Sequence, residues 1–212
     1  MNAETKRTQL AVVGAGPGGY AAAFLAADLG MEVTLIDPEP RPGGVCLYRG
    51  CIPSKALLHV AKFLMTTRQA SLWGVDLPEP KIDVDKLRAW KDDVVKRLTD
   101  GLGTLSKQRG VNYVRGRATF AGPDRLRIRN VEGAEDELAF QHAILATGSR
   151  PASLPALSLA SPRVWDSSTA LSLPKVPETM LVVGGGYIGL ELGTVYSALG
   201  TAVTVVEMTE GL

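Results

Sequence analysis

Two glycine-rich turns constrain the fold of this chain more than any other sequence feature. The first turn, GAGPGG at residues 14–19, lies between an apolar run at residues 10–13 and an alanine-rich segment that we predict to be helical over residues 20–29. A second predicted strand, residues 32–36, follows and ends on Asp37. Strand, glycine turn, helix, strand and acidic residue in this order are typical of a β-α-β unit that binds a dinucleotide.

The glycines of the first turn have separate predicted purposes. Gly14 permits the tight turn, Gly16 lets a pyrophosphate approach the backbone, and Gly19 lets the helix pack closely on the strand. The N–H groups at the start of the helix would face the phosphates, and Asp37 lies where a carboxylate accepts a hydrogen bond from a ribose hydroxyl. The predicted binding residues of this unit are Gly14, Gly16, Pro17, Gly18, Asp37 and Pro38.

The same arrangement recurs later in the chain. A predicted strand at residues 180–183 leads into GGGYIG at residues 184–189, a helix that ends near Leu199, and a strand at residues 202–206 that ends on Glu207. The distance from the last glycine of the turn to the closing acid is the same in both units. This repetition predicts two Rossmann-like nucleotide-binding units. The predicted binding residues of the second unit are Gly184, Gly185, Gly186, Tyr187, Ile188 and Glu207.

Both cysteines of the chain, Cys46 and Cys51, lie in GGVCLYRGCIPSK at residues 43–55. Apolar residues at helical spacing follow, and they predict a helix from about Pro53 to Arg68. Cys51 would then lie at a helix N-terminus, where unpaired N–H groups favour a thiolate, with Cys46 one turn upstream in a loop. A loop this short gains little stability from cross-linking, which favours a redox-active disulfide over a structural one.

Two other interpretations of the cysteine pair stay open at this point. Buried thiols of no special function are common in proteins. A structural zinc site needs four ligands. Besides the two cysteines, His59 and His142 are the only histidines of the chain. A helical His59 would point away from Cys51. The nearby dinucleotide turn favours redox chemistry over both alternatives.

Composition narrows the class of protein. The chain has 212 residues, of which 45% are hydrophobic and 21% charged, as in soluble globular proteins. The formal net charge of +1 gives no reason to expect nucleic acid or an acidic membrane surface as a partner. Two cysteines are too few for a secreted disulfide scaffold, and the N-terminal residues lack the apolar core of a signal peptide. We therefore expect a cytoplasmic location.

The middle of the chain predicts a long helix followed by a small antiparallel β insertion. Apolar residues at near-helical spacing place the helix over residues 84–107. Turn signals that include Gly116 and Gly133 separate short β segments. The segments are residues 111–115, 117–120, 125–129 and 137–145.

The predicted fold class is α/β. We expect a first Rossmann-like domain with the β insertion at residues 1–150, a connector at residues 151–175 that is rich in proline and serine, and the opening of a second Rossmann-like domain at residues 176–212. A single β-α-β unit leaves its sheet uncovered, so the second domain is expected to be cut off after its opening half.

The motifs GAGPGGYAAA, GGVCLYRGCIPSKALLH, ATGSRP and GGGYIGLELGTVY, in this order, resemble those of the flavin-dependent disulfide reductases, and among them the dihydrolipoamide dehydrogenase family. The resemblance covers the whole chain. It implies an FAD domain followed by the start of an NAD domain. It also implies a homodimer that oxidises dihydrolipoamide on the lipoyl domain of an acyltransferase subunit, with NAD⁺ as acceptor, in a 2-oxo-acid dehydrogenase complex.

The resemblance further implies roles for single residues. Cys51 would be the sulfur nearest the flavin, Cys46 the sulfur that exchanges with substrate, and Lys55 would pair with Glu191 beside the flavin. Tyr187 resembles a residue that covers the nicotinamide pocket in some relatives, although dihydrolipoamide dehydrogenases often have isoleucine there. FAD contacts are implied for Asp37, where the family more often has Glu, and for Gly43, Gly44, Val45, Cys46, Lys55, Gly116, Ala118, Thr147, Gly148 and Ser149. Glu207 would repel a 2′-phosphate, which favours NAD over NADP.

Two alternatives to this function remain. One is another reductase of the family, with glutathione disulfide or mercuric ion as substrate. The other is a catalytically silent fragment that only binds FAD and NAD, because the family's full chain is more than twice as long as these 212 residues. The resemblance also implies a histidine as catalytic base, and neither His59 nor His142 lies in the motif for it. For these residues alone, the resemblance implies poor FAD retention and little lipoamide turnover.

Overall fold

A computed structural model of the chain describes residues 6–152, 159 and 161–211. The chain divides into two compact units, one of Met1–Tyr48 and Lys96–Arg150, the other of Arg49–Val95 and Pro151–Leu212. This division does not test the predicted domain limits, which stay a prediction. Most of the proline- and serine-rich part of the predicted connector, residues 153–158 and 160, lies outside the described residues.

The first unit is built on a five-stranded mixed sheet that closes on itself in the order β1-β2-β3-β4-β5. Its elements are β1 (Lys6–Val13), α1 (Pro17–Asp28), β2 (Val33–Asp37), α2 (Gly44–Arg49), β3 (Asn112–Gly122), β4 (Arg125–Asn130) and β5 (Glu135–Leu145). Strand β1 runs parallel to β2 and to β5, and β2 runs parallel to β3. The pairs β3–β4 and β4–β5 are antiparallel. The predicted α/β class and the antiparallel insertion are confirmed.

The register of the parallel strands brings three predicted segments to one edge of this sheet. Val13 at the end of β1 pairs with Ile36 of β2 on one side and with Leu145 of β5 on the other. Because parallel strands end at the same edge, the first glycine turn, Asp37 and the segment after β5 all start there. Ligands of open α/β folds bind at this carboxyl edge.

Side chains on the two faces of β1 enter two different apolar clusters. Val12 packs with Leu35 and with Ala23 of α1, whose small side chains let the helix lie close to the sheet. Ala11, the next residue, faces the inside of the closed sheet together with Leu126 of β4. All five side chains are buried, so apolar contacts hold the strand on both of its faces.

One predicted turn of the β insertion is wrong. Gly116 was expected to separate two short segments, but β3 runs through it without interruption. A Cβ on Gly116 would lie 2.8 Å from the carbonyl oxygen of Arg129 and 2.9 Å from Ile128 Cγ2 on the neighbouring strand. The glycine therefore permits close approach within the sheet and does not end a strand.

The second unit contains α3 (Cys51–Gln69), a 3-10 turn (Ala70–Trp73), α5 (Ser167–Leu171), β6 (Thr179–Val183), α6 (Tyr187–Ala198) and β7 (Ala202–Val206). It also contains the first part of α4 (Val84–Gln108), which continues into the first unit. Strands β6 and β7 form a two-stranded parallel sheet, as predicted for the second β-α-β unit. Helix α3 packs on α6 through Leu57, Ala61, Val195 and Tyr196, all of which are buried.

Helix α5 was not predicted, although its start carries a recognisable signal. Asp166 accepts a hydrogen bond of 2.7 Å from the backbone N–H of Thr169, which is the usual geometry of an N-cap. The hydrogen bonds from Thr169 lower the pKa of Asp166. None of the helices described here is long and apolar enough to cross a membrane.

Candidate functional site

The first glycine turn is held tightly between its own helix and strand β5. Gly14 has a φ of +99°, which favours glycine, and a Cβ at this position would overlap the carbonyl group of Ala146. A Cβ on Gly19 would overlap the carbonyl of Gly14. These contacts support the close helix–strand packing expected of the motif.

The start of α1 is open where a phosphate would approach. The helix begins at Pro17, three residues before the predicted start, with Gly16 as its N-cap. Pro17 and Gly18 are exposed, and apart from neighbouring residues of the same helix no described atom lies within 4 Å of a Cβ placed on Gly18. A helix N-terminus with accessible backbone favours an anion.

Asp37 binds the glycine turn directly. Its Oδ2 accepts a hydrogen bond of 2.7 Å from the N–H of Ala15, and its Oδ1 accepts one of 2.9 Å from Glu39. The side chain is buried. Since a carboxylate has about four acceptor positions, two filled positions leave capacity for a ribose hydroxyl, and that predicted contact stays a prediction.

Glu207 repeats this arrangement in the second unit. Its Oε2 accepts a hydrogen bond of 2.6 Å from the N–H of Gly185, the residue that corresponds to Ala15. The N–H groups of Thr209, Gly185 and Met208, in that order of effect, lower the pKa of Glu207 to about 2. The repeat seen in the sequence is thus also a repeat of hydrogen bonds.

Helix α2 begins against the first glycine turn. The N–H of Gly43 donates a hydrogen bond of 2.8 Å to the carbonyl oxygen of Ala15. Gly44 has a φ of +58°, and a Cβ on it would overlap Gly16. Cys46 lies in the first turn of this helix, so the prediction that it lies in a loop is wrong. The two glycines let the chain turn sharply at the glycine turn and start a helix there.

Cys51 is the first residue of α3, two residues before the predicted start at Pro53. Gly50 precedes it as the N-cap, and its carbonyl oxygen accepts a hydrogen bond of 3.0 Å from the Ser54 N–H. Cys51 is exposed and Cys46 is half-buried, and both are present as thiols. The predicted position of Cys51 at a helix N-terminus is confirmed.

The N-terminal part of α3 contacts α6 through a network of charged and hydroxyl side chains. Lys55 Nζ donates a hydrogen bond of 2.6 Å to Glu191 Oε1, and Ser54 Oγ donates to Glu191 Oε2. The Lys55 ammonium also lies 5.0 Å from the ring centroid of Tyr187. The structure therefore brings together the lysine and glutamate that the resemblance paired. Sequence reasoning missed Ser54, whose signal was a hydroxyl next to the lysine in the first turn of the helix.

The network shifts the pKa of both charged partners. The hydrogen bond that Lys55 donates to Glu191 is the main cause that raises the pKa of Lys55. Burial raises the pKa of Glu191, but hydrogen bonds from Lys55, Ser54 and Tyr187 outweigh it, and the net direction is downward. Both groups are therefore charged at neutral pH.

The remaining predicted FAD-binding residues are spread over the first unit. Thr147, Gly148 and Ser149 directly follow β5 at the carboxyl edge of the sheet, whereas Ala118 lies half-buried in β3. Gly148 has a φ of +73°. Their contacts with a cofactor, like those of Pro38 and Val45, stay predictions. Within the described part of the chain, no group of three or more His, Cys, Asp or Glu side chains could hold a metal ion.

Comparisons with known proteins agree with this geometry. A family model described as pyridine nucleotide-disulphide oxidoreductase matches residues 8–212. Dihydrolipoyl dehydrogenase of Haemophilus influenzae is 50% identical over 208 residues, which cover 98% of this chain and 43% of the relative. The Vibrio cholerae protein of the same name is 48% identical over 212 residues, which cover 100% and 44%.

A solved structure has a similar fold. The copper(II) complex of the HOCl-induced flavoprotein disulfide reductase RclA from Escherichia coli matches with a TM-score of 0.81 and 25% identity. The match covers 97% of this chain and 43% of that one. The chain thus spans less than half the length of the curated relatives it matches.

Proposed function

We propose, since this chain belongs to the pyridine nucleotide-disulphide oxidoreductase family, that it serves to oxidise dihydrolipoyl groups to lipoyl groups with NAD⁺ as the electron acceptor. Members of this family are FAD-dependent enzymes that use NAD(H). About half of the residues are identical to those of bacterial proteins named dihydrolipoyl dehydrogenase. That similarity supports lipoyl groups as the substrate class.

One observation carries the proposal. The hydrogen bond from Gly43 to Ala15 fixes the start of the cysteine-bearing helix α2 to the turn predicted to bind the FAD pyrophosphate. Cys46 lies two positions after Gly44. A thiol placed two positions after a direct contact with the predicted phosphate-binding turn is suited to exchange electrons with a cofactor bound there.

The residues of the first unit fit FAD. Gly16 and Gly18 leave backbone accessible at the N-terminus of α1, where an anion is favoured. Asp37 keeps acceptor capacity for a ribose hydroxyl. Gly14, Gly16, Pro17, Gly18 and Asp37 would hold the adenosine and pyrophosphate, and Thr147, Gly148 and Ser149 would lie nearer the flavin. When bound, FAD supplies the two-electron acceptor that passes hydride to NAD⁺.

The cysteines would carry out the substrate step by thiol–disulfide exchange. In the oxidised pair, a dihydrolipoyl thiolate attacks Cys46 Sγ, a mixed disulfide forms, and the bond to Cys51 breaks, which releases Cys51 as a thiolate. The second dihydrolipoyl thiol passes its proton to the Cys51 thiolate and attacks the lipoyl sulfur of the mixed disulfide, and the bond to Cys46 breaks. Cys46 leaves as a thiolate and takes up a proton from water. Lipoamide leaves, and Cys46 and Cys51 hold the electron pair as a dithiol.

Lys55 would keep a positive charge in the part of the site that follows Cys51. Its ammonium is oriented by Glu191 and by the ring of Tyr187. The raised pKa of Lys55 ensures that this charge persists at neutral pH. A fixed cation of this kind stabilises negative charge that develops beside it.

The second unit would bind NAD⁺ through its own glycine turn. The pKa of Glu207, lowered to about 2 by the N–H groups of Thr209, Gly185 and Met208, keeps this carboxylate ionised. An ionised carboxylate accepts from ribose hydroxyls and repels a 2′-phosphate. This argues against an NADP-dependent glutathione reductase. As partner and assembly we propose the lipoyl domain of an acyltransferase subunit and a homodimer, as the family resemblance implies.

A thiol count tests the proposal. The folded protein is oxidised and divided into two samples, and one of them is treated with dihydrolipoamide. Both samples are then gel-filtered and unfolded, and their protein thiols are titrated. We expect no titratable thiol before treatment and both thiols of the chain after it. Cys46→Ser and Cys51→Ser variants should each show one thiol throughout. Two thiols that persist after oxidation would rule out the redox pair.

A further inference from the structure

We propose that Tyr48 is a positioning residue for Cys46, because its side chain anchors the end of α2 to the preceding loop and to helix α4. Tyr48 lies between the two cysteines in the sequence, two positions after Cys46. The inference rests on the proposed redox function and adds to it the residue that restrains the exchanging thiol.

Two hydrogen-bonding partners hold the Tyr48 hydroxyl. It donates a hydrogen bond of 3.1 Å to the carbonyl oxygen of Arg41, and it is also hydrogen-bonded to the side chain of Thr99. The ring packs on Gly43, since its Cε2 lies 3.3 Å from the position of a Cβ on that residue. The Tyr48 side chain thus contacts Arg41 in the loop before α2, Gly43 at the start of α2, and Thr99 in α4.

The structure behind this anchor is itself braced. Arg41 forms an ion pair with Asp100 of α4, and its Cδ lies 3.3 Å from the position of a Cβ on Gly103. Asp100 also accepts a hydrogen bond of 2.7 Å from Lys96, one helical turn earlier. Thr99 is buried beside them. Tyr48 therefore binds to a support that cannot easily move with α2.

The opposite end of α2 has its own attachment. There the N–H of Gly43 bonds to Ala15, and Gly44 packs on Gly16. Cys46 lies between this attachment and Tyr48. Because α2 has only six residues, its own backbone hydrogen bonds hold it weakly, and removing the second anchor should free the end that follows Cys46.

The chemistry of the phenol suits an anchor. Burial, followed by the charge of Glu39, raises the pKa of Tyr48, and this outweighs the opposing effects of Thr99 and Arg41. The hydroxyl therefore stays protonated and continues to donate throughout the neutral range. Exchange at Cys46 depends on the placement of its sulfur, and loss of such restraint lowers the effective concentration of reacting groups.

The test compares Tyr48→Phe with the unchanged protein in its reduced state. Alkylation of Cys46 and of Cys51 by iodoacetamide is followed separately by mass spectrometry of their peptides. Since one hydrogen bond contributes about 1 kcal/mol, we expect Cys46 to react roughly three- to tenfold faster in the variant. Cys51, already exposed at the start of α3, should change less than about twofold.

Two further variants separate a local restraint from general loosening. Tyr113→Phe is the matched control, because Tyr113 donates a hydrogen bond of 2.9 Å to the carbonyl oxygen of Glu39 in the same loop. It should leave the Cys46 rate within about twofold. Thr99→Val, which removes the other partner of Tyr48 and keeps the side-chain volume, should act in the same direction as Tyr48→Phe.

The redox equilibrium gives a second readout. Against a dithiothreitol redox buffer, Tyr48→Phe should shift the cysteine pair roughly three- to tenfold toward the dithiol, whereas Tyr113→Phe should not. An unchanged Cys46 rate in Tyr48→Phe, or an equal rise in Tyr113→Phe or at Cys51, would overturn the proposal. Alkylation needs no disulfide, so a failed thiol count would refute the redox function without removing a measured restraint on Cys46.

Discussion

Lys55 Nζ lies 2.6 Å from Glu191 Oε1, although 136 positions separate the two residues in the chain. The contact joins the first part of the cysteine-bearing helix α3 to the helix that follows the second glycine turn. Because the Ser54 hydroxyl donates to the same carboxylate, Glu191 is held at both oxygens. This carboxylate therefore links helices α3 and α6 within the second unit.

Replacement of Glu191 by Gln should return the pKa of Lys55 toward its ordinary value, since the Glu191 hydrogen bond is the main cause of the rise. A raised lysine pKa stabilises the fold below the unfolded-state value, and this contribution is lost as the pH rises through the folded-state value. The stability difference between the two proteins should therefore shrink in strongly alkaline solution. Urea unfolding at several pH values measures it, and a constant difference would contradict the assignment.

The pKa shift of Glu191, the acidic partner of Lys55, makes stability depend on pH in the acid range and in the opposite direction. The net pKa of Glu191 is lowered, with burial opposed by the stronger combined effect of Lys55, Ser54 and Tyr187. Its contribution is present above the unfolded-state pKa of 4.5 and is lost as the pH falls through the folded-state value. Glu191→Gln should flatten this part of the acid unfolding curve. An acid limb identical to that of the unchanged protein would exclude Glu191 as its source.

Ser54→Ala should lower the free energy of unfolding by about 1–2 kcal/mol, because it removes a buried donor from a charged acceptor. Thr66→Ala on the same helix is the matched control. The Thr66 hydroxyl is exposed and donates a hydrogen bond to the carbonyl oxygen of Lys62 in its own helix, so its loss should change stability by less than about 0.5 kcal/mol. If the two variants lost the same free energy of unfolding in urea, the hydrogen bond from Ser54 to Glu191 would not contribute the predicted stability.

Gly44→Ala should destabilise the first unit by about 2 kcal/mol or more. The position has a φ of +58°, and a Cβ would overlap the backbone of Gly16. Gly101→Ala in α4 is the control, since no atom lies within 4 Å of its Cβ position. There, alanine should be neutral or stabilise by up to about 1 kcal/mol, as expected inside a helix. A tolerated Gly44→Ala would mean that α2 does not pack on the glycine turn as described.

The carboxyl group of Glu207 should titrate with a pKa of about 2, well below the ordinary glutamate pKa of 4.5. The N–H of Thr209 is the largest cause, followed by those of Gly185 and Met208. Stability linked to this group should be present above the unfolded-state pKa and disappear as the pH falls toward the folded-state value. A carbon-detected NMR titration of glutamate side chains measures the midpoint directly, and a value near 4.5 would show that the three N–H groups do not bind the carboxylate.

The sequence was sufficient to predict both β-α-β units because their pattern is local. Spacing, glycine chemistry and the closing acid are properties of short segments, and Asp37 and Glu207 each end a strand where the pattern placed them. The pairing of Lys55 with Glu191 has no local signal and came only from the family resemblance.

Elements that depend on tertiary contacts were missed or misplaced. Helix α2 is too short to form on its own propensity and is stabilised by the hydrogen bond from Gly43 to Ala15. Gly116 looked like a turn, yet its small size serves the approach of a neighbouring strand. In both cases the deciding partner lies far away in the sequence, where a pattern of adjacent residues carries no information.

The hydrogen bonds from Ala15 to Asp37 and from Gly185 to Glu207 are made within the chain itself and hold each glycine loop in its conformation. The loss of backbone entropy is then part of folding rather than of ligand capture. Each glycine loop is thus preorganised for its nucleotide. The rate of nucleotide association should therefore depend on diffusion and charge more than on loop rearrangement.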